Sequence, residues 1–212
     1  MSDLMKVGAD WGGPGTFKPL TSGISGAQRV TDAHAKYMDA ILSGRVFMMS
    51  VGGATATAYT GGAGGTPLLA IHNPANSQKY AVPLFATFGG RVAASGAGTV
   101  AFELYGGVSV LPTGTVTAPR SVLSLVASGS SMVGFSNTAL TGSTALTLLA
   151  ELGTYYWATA AAAFMAPGYV DLGGLGVVAP GNELAFGATA ALASATWSAT
   201  LFWEEVPYLV TV

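Results

Sequence analysis

The alternation of apolar and polar residues is clearest between residues 195 and 206. Odd-numbered positions from 195 to 203 are apolar, and in an extended strand they point to one face, among them Trp197, Ala199, Leu201 and Trp203. Even-numbered positions point to the opposite face: Ser198, Thr200, Phe202 and Glu204. This period of two predicts a strand with one buried face.

Short β-type runs separated by Gly, Pro, Asn and Ser follow one another from residue 45 onward. The predicted strands are 45–51, 66–73, 79–89, 99–107, 120–127, 144–152, 154–164, 168–178, 182–192 and 195–206. Eight to ten short strands in one domain are typical of two packed antiparallel sheets. The pattern therefore predicts an all-β fold, a jelly-roll-like sandwich.

Residues 30–42 carry helical spacing, with one apolar face and a start that Thr31 or Asp32 can cap. Gly44 is placed to end this helix. Residues 1–27 are rich in Gly, Pro, Ser and Thr, which predicts an extended arm. The sequence thus indicates an arm and short helix over 1–44 and a sandwich over 45–212.

Several apolar side chains of this N-terminal region need a surface to cover them. An arm has no core of its own, so its large side chains are expected to be buried against a neighbouring subunit. The candidate interface residues are Trp11, Phe17, Tyr37 and Ile41.

Composition makes self-association the main expectation. Only 8% of the residues are charged and 50% are apolar, whereas about 25% are charged in an ordinary soluble domain. A surface so poor in ionic groups is expected to be covered, most economically by further copies of the chain. The alternative is a neutral surface of small residues.

Charge and cysteine content exclude several classes of site. A net charge of −2 with scattered cations gives no electrostatic basis for nucleic-acid binding. The chain has no cysteine, and its longest apolar run is too short to span a membrane as a helix. We expect no metal, no cofactor, no nucleic acid and no membrane partner.

Two glycine-rich stretches resemble nucleotide-binding loops only superficially. After Gly61–Gly65 the chain continues with Thr66 and Pro67, so the lysine and helix of a phosphate-binding loop are missing. The stretch 174–179 is followed at once by Pro180, which would stop the helix of a dinucleotide site. Both stretches are interpreted as turns.

The titratable residues do not form a catalytic motif. His34 and His72 are far apart in sequence, and His72 is expected in a turn at a strand end. Glu204 and Glu205 are adjacent on a strand and so point to opposite faces. Convergence of three other carboxylates stays open: Glu151, Asp171 and Glu183. The sequence predicts no enzyme, and a hydrolase would have to use His72.

Aromatic residues offer a second alternative. A platform for stacking on sugars could be formed by Tyr155, Tyr156, Trp157, Trp197, Phe202 and Trp203. Packing in the core of a sandwich is the commoner role of such side chains.

Residues 64–89 combine an apolar strand ending in Asn-Pro, a Ser-containing turn with Lys79, and a Val/Leu-rich return strand. Residues 180–207 combine a Pro-Gly turn, an alternating hairpin and a terminal Trp-Glu-Glu. Both stretches resemble small Gly/Ala-rich virion proteins of tailed bacteriophages. The resemblance implies a jelly-roll-like capsid decoration or cement protein. It carries over no binding residues, and the N-terminal helix departs from it.

The leading hypothesis is therefore a virion structural protein that stabilises a phage head after assembly in the host cytoplasm. Its partners would be itself, as a homotrimer or higher oligomer, and the major capsid protein or other virion proteins. One alternative is a jelly-roll major capsid protein that forms the shell. The other is a carbohydrate- or receptor-binding module of a tail or fibre.

Overall fold

The computed structural model describes residues 37–56, 58–92, 98–127, 129–157, 163–189 and 192–207. The chain divides into two compact units, Met1–Asp39 and Ala40–Val212. The elements below run from the end of the first unit through the second. No helix among the described residues is long and apolar enough to cross a membrane.

Within the described residues, ten strands build the sandwich. They are β1 (Val46–Ala56), β2 (Leu69–His72), β3 (Lys79–Val92), β4 (Gly98–Val108), β5 (Arg120–Ser121), β6 (Val133–Ser136), β7 (Thr147–Trp157), β8 (Ala163–Asp171), β9 (Asn182–Ala188) and β10 (Leu192–Pro207). The first sheet has the order β5-β1-β10-β3-β8 and the second has the order β6-β2-β9-β4-β7. All pairings between these strands are antiparallel, which confirms the predicted all-β sandwich.

The strand order is that of a jelly roll. Without β5 and β6, the two sheets read β1-β10-β3-β8 and β2-β9-β4-β7. Successive strands alternate between the sheets, except that β4 and β7 are neighbours in the second sheet, and they form two interleaved Greek keys. β5 and β6 belong to the connection between β4 and β7, and each adds a short strand to the edge of one sheet. This connection is an insertion into an eight-stranded jelly roll.

The core lies between the inner faces of the two sheets. Trp197 and Trp203 of β10 are fully buried there, as the alternating pattern predicts. From the second sheet, Phe102 meets Trp197 edge-to-face at 5.2 Å between ring centroids. Aromatic pairs of this geometry stabilise a core beyond the area that they bury.

Only the C-terminal part of the helix predicted over 30–42 lies among the described residues, and it is short. The helix α1 spans Met38–Leu42, and Tyr37 before it has φ 71°, which no α-helix adopts. A continuous helix over 30–42 is therefore wrong at Tyr37, while residues 30–36 lie outside the described residues. Gly44 ends the helix as predicted, because its φ of 68° lets its N–H bond the carbonyl of Ile41 at 2.9 Å.

Several strand predictions need correction in their bounds. The run 120–127 forms only the two-residue β5, because the chain turns at Val122–Ser124 and Leu125 has φ 58°. β7 joins most of the strand predicted over 144–152 to the start of the strand predicted over 154–164. The last two residues of the latter prediction belong to β8, and residues 158–162 lie outside the described residues. The strand predicted over 168–178 ends at Asp171 in a glycine turn.

One described strand was not predicted. β6 is only four residues long, and Gly134 interrupts its apolar pattern. Its place is decided by close packing, since a Cβ atom at Gly134 would lie 2.6 Å from the Thr117 carbonyl oxygen. Such a contact leaves no signal in the sequence.

Candidate functional site

The most distinctive surface of the described residues is formed by the end of β4 and the insertion between β4 and β7. Thirteen large apolar side chains of the described residues are exposed, and seven of them fall between positions 108 and 126. We call these seven the insert surface: Val108, Val110, Leu111, Val116, Leu123, Leu125 and Val126. Arg120 is the single charged residue of that segment. Exposed apolar side chains this frequent along one segment are typical of a segment that another molecule covers.

Backbone hydrogen bonds hold the insert surface in place. Val122 donates its N–H to the carbonyl of Val46 at 2.9 Å, and Leu125 donates to Ser121 at 2.8 Å. Further along, Thr113 and Thr141 exchange two backbone hydrogen bonds of 2.8 and 2.9 Å. The apolar side chains are thus presented on an ordered scaffold, which lowers the entropic cost of covering them.

A second, smaller apolar region lies at the edge strand β7. Leu148 and Leu149 are exposed there, as are Leu175 and Val177 of the turn after β8. Leu149 also approaches Gly176, where an added Cβ would lie 2.7 Å from its Cδ1 atom. This region brings the loop after β8 against the edge of the second sheet.

Polar groups are buried on the outer face of the second sheet. His72 and Glu183 lie directly opposite each other on β2 and β9, with 3% and 1% of their surface exposed. Neither carboxylate oxygen of Glu183 has a hydrogen-bond partner, and neither has Nδ1 of His72. His72 is the last residue of β2, which confirms its predicted place at a strand end, although it belongs to the strand and not to the turn that follows.

Burial shifts the pKa values of this pair in opposite directions. It raises the pKa of the Glu183 carboxyl, an effect that the neighbouring Ser109 hydroxyl only partly offsets. It lowers the pKa of the His72 imidazole. Both shifts favour the neutral form, because an ion without a partner is costly away from water.

Two tyrosines complete this buried polar cluster. Tyr59 and Tyr105 meet edge-to-face at 5.3 Å between ring centroids, and the Tyr105 hydroxyl donates a hydrogen bond to Glu103. Burial raises the pKa of both tyrosines, and the negative charge of a neighbouring carboxylate adds to the effect: Glu183 for Tyr59 and Glu103 for Tyr105. Both phenols therefore stay protonated at neutral pH, and that of Tyr105 acts as a hydrogen-bond donor.

The three carboxylates whose convergence the sequence left open do not converge. Asp171 lies on the first sheet, whereas Glu151 and Glu183 lie on the second. β4 separates the latter two, because Glu151 is opposite Glu103 and Glu183 is opposite Gly107. Within the described part of the chain, no group of three or more His, Asp or Glu residues could hold a metal ion.

Sequence reasoning missed the pairing of Glu103 with Glu151, which face each other across β4 and β7. The Glu151 carboxylate accepts a hydrogen bond from the Thr154 hydroxyl, as Glu103 does from Tyr105. Two bulges in β7 set this register, at Leu149 and Leu152. Bulges leave no recognisable pattern in the sequence, so the pairing of Glu103 with Glu151 could not be predicted from it.

The proposed sugar platform is largely part of the core. Trp197 and Trp203 are 0% exposed, and Tyr155 packs edge-to-face on Phe88 and Phe102 at 5.9 Å. Phe202 lies on the outer face of the first sheet, away from them. The side chains of Tyr156 and Trp157 lie outside the described ones.

The glycine-rich stretch is a closely packed turn. Gly61 has φ 74°, and an added Cβ would lie 2.6 Å from both the Leu146 carbonyl oxygen and a Tyr105 ring carbon. At Gly65 an added Cβ would lie 2.8 Å from the Tyr59 ring. Gly61 and Gly65 thus let the loop approach the buried tyrosines.

The predicted interface residues are only partly described. Trp11 and Phe17 lie outside the described residues. Tyr37 and Ile41 are half-buried, Tyr37 just before α1 and Ile41 within it. Neither belongs to the insert surface, which the sequence analysis did not single out.

Comparison with known proteins adds no relative. No protein-family profile matches the chain, and no curated protein or solved structure is detectably similar to it.

Proposed function

We propose that this chain is a structural protein of a bacteriophage particle, a decoration or cement protein that stabilises the head through contacts between copies. The observation that carries the proposal is the insert surface, which exposes seven large apolar side chains beside one charge. The jelly-roll strand order supports it, because this architecture recurs in viral capsid domains. So does the resemblance of residues 64–89 and 180–207 to virion proteins.

The physical role would be mechanical. Burying apolar surface contributes about 25 cal/mol per Å2, so a modest contact repeated over many copies stabilises a particle strongly. The titratable groups of the described residues support this role better than catalysis. The pKa values of Glu183 and His72 are shifted in opposite directions by burial, and both side chains are closed off from solvent.

The jelly roll also favours a second candidate, a shell-forming major capsid protein. The sugar-binding alternative has less support, since the described part of its aromatic platform lies mainly in the core.

Native mass spectrometry and electron microscopy of the purified protein test the proposal and separate it from its rival. We expect a closed oligomer, a homotrimer first, that binds purified phage heads. Closed shells formed without another capsid protein would favour the shell-forming alternative. A monomer at high concentration with no affinity for heads would refute both.

A further inference from the structure

The outer face of the first sheet carries a row of five side chains, one from each strand. Paired positions across the sheet place them side by side. In order from β5 to β8 they are Arg120, Met48, Phe202, Phe85 and Asp171. The chain neighbours of Met48, Phe202, Phe85 and Asp171 include core residues, and Arg120 is itself exposed, so this row faces outward. We call it the sheet row.

The middle of the sheet row is aromatic and packed edge-outward. Phe85 and Phe202 stack at 4.1 Å between ring centroids with 21° between their planes. Tyr169 of β8 adds a third ring 5.4 Å from Phe85, and 62% of its surface is exposed. Two rings stacked on each other present their edges outward. Sugar stacking requires an open ring face, so this group is better suited to packing against protein.

The two ends of the sheet row carry opposite charges. Arg120 and Asp171 are both exposed, and both are held in place. The Arg120 guanidinium donates to the Leu125 carbonyl at 3.0 Å, and the Asp171 carboxylate accepts from the Gly173 N–H at 3.1 Å. Four strand spacings separate the two residues, about 19 Å. Phe202 lies at the centre between them.

We propose that a second copy of this chain packs face-to-face on the sheet row, related by a two-fold axis parallel to β10. Such an axis reverses the order of the strands from one copy to the other. Arg120 then lies opposite the partner's Asp171, and Met48 opposite the partner's Phe85. Phe202 lies opposite the partner's Phe202. Charge and apolar character match along the whole row, as an isologous interface requires.

The rows on either side are compatible with this packing. On one side Thr200 lies between Ser50 and Thr87, so short side chains border the aromatic centre. On the other side Glu204 is already paired with Arg45 at 3.0 Å. The two-fold axis brings Glu204 close to Glu204 of the second copy. In each copy, the ion pair with Arg45 balances this negative charge.

This interface goes beyond the proposed function and does not depend on it. The insert surface and the sheet row meet at β5, but they present different side chains. A virion protein could use both surfaces, and a protein with another role could still form the two-fold contact.

The first test is a chemical cross-link near the axis. The chain has no cysteine, so Thr200→Cys introduces a single thiol per copy. Two packed sheets lie about 10 Å apart, which suits a short bis-maleimide. We expect a covalent dimer in high yield from Thr200→Cys. The matched control is Asn76→Cys, an exposed position in the turn after β2, which should cross-link only weakly. Equal yields at the two positions would overturn the proposal.

The second test exchanges the charges of the sheet row. Arg120→Asp and Asp171→Arg each place like charges opposite each other, so each should weaken dimerisation by roughly tenfold or more in sedimentation equilibrium. The double variant restores opposite charges and should recover most of the loss, even if each substitution also disturbs its local hydrogen bond. A double variant no better than the single ones would overturn the interface. Neither test involves phage heads, so failure here is distinct from failure of the virion role.

Discussion

His72 and Glu183 lie directly opposite each other on neighbouring strands, both buried and without a hydrogen bond between them. Opposed residues of an antiparallel pair have Cβ atoms roughly 5 Å apart. An acid and a base at this separation would ordinarily form an ion pair. Here the surroundings favour the neutral form of each side chain instead.

The pair gives stability a defined dependence on pH. The pKa of Glu183 is raised, so the folded state keeps a proton that the unfolded state releases, and stability falls as pH rises above about 4.5. The pKa of His72 is lowered, so its contribution is complete above about 6.5 and is lost as pH falls below that value. Denaturant unfolding from pH 4 to 9 measures both trends.

Substitutions separate the two contributions. In Glu183→Gln the decline towards high pH should become shallower, and in His72→Phe the loss below pH 6.5 should become shallower. Glu183→Leu removes the unpartnered group and should stabilise the fold at pH 8 by about 1–3 kcal/mol. If Glu183→Gln and His72→Phe both kept the pH dependence of stability seen in the unsubstituted protein, other groups would set that dependence.

The adjacent residues Glu204 and Glu205 should respond very differently to the same substitution. Glu205 is 2% exposed and accepts hydrogen bonds from Lys79, Ser130 and the Ser131 N–H at 2.6–3.1 Å. Glu205→Gln should therefore cost about 2 kcal/mol or more, since hydrogen bonds to a buried charge are the strong ones.

Glu204→Gln is the matched control. Its ion pair with Arg45 is partly exposed, with 38% of the arginine side chain accessible, so the loss should stay below about 1 kcal/mol. Thermal unfolding of the two variants under identical conditions provides the comparison. Equal losses would mean that the buried carboxylate does not anchor residues 130–131.

Three glycines of one turn should differ in their tolerance of alanine. Gly62 has open space around it and no positive φ, so Gly62→Ala should change stability by less than about 0.5 kcal/mol. Gly64 has φ 74° in open space, so Gly64→Ala should cost about 1 kcal/mol from backbone strain alone. Gly61 combines φ 74° with a 2.6 Å contact to backbone, so Gly61→Ala should cost about 3 kcal/mol.

The most specific part of the glycine prediction is the order of the three losses in the free energy of unfolding. Chemical denaturation midpoints rank them directly. If Gly61→Ala were as stable as Gly62→Ala, the turn would not pack against Tyr105 as the structure places it.

The insert surface predicts a loss of association without a loss of folding. Leu125 is 60% exposed and has φ 58°, a conformation that asparagine tolerates better than leucine. Leu125→Asn should therefore leave the unfolding midpoint unchanged or higher. Because a buried leucine contributes about 1.5–3 kcal/mol, association between copies should weaken by roughly tenfold or more.

The control for this prediction is Leu175→Asn, at an exposed leucine outside the insert surface. Analytical ultracentrifugation of the two variants should show weaker association for Leu125→Asn only. Equal weakening would place the contact elsewhere on the apolar exterior.

The sequence alone predicted part of the candidate site. The scarcity of charge indicates a surface that needs covering, but it does not say where that surface lies. The run 120–127 has the pattern of a buried strand, and the positive φ of Leu125 instead turns its leucines outward. Nothing in the local pattern distinguishes an apolar strand in a core from an apolar turn on a surface.

The sequence by itself determined the class of fold, because a period of two along β10 buries Trp197 and Trp203 on one face of a strand and the many similar runs favour a second sheet to cover that face. It also determined that Glu204 and Glu205 face opposite ways. Tertiary structure alone decided which residues meet: His72 with Glu183, Glu103 with Glu151, and the five side chains of the sheet row. Strand order and register bring together residues far apart in the chain. Those depend on long-range packing, turns and bulges, which a local pattern does not contain.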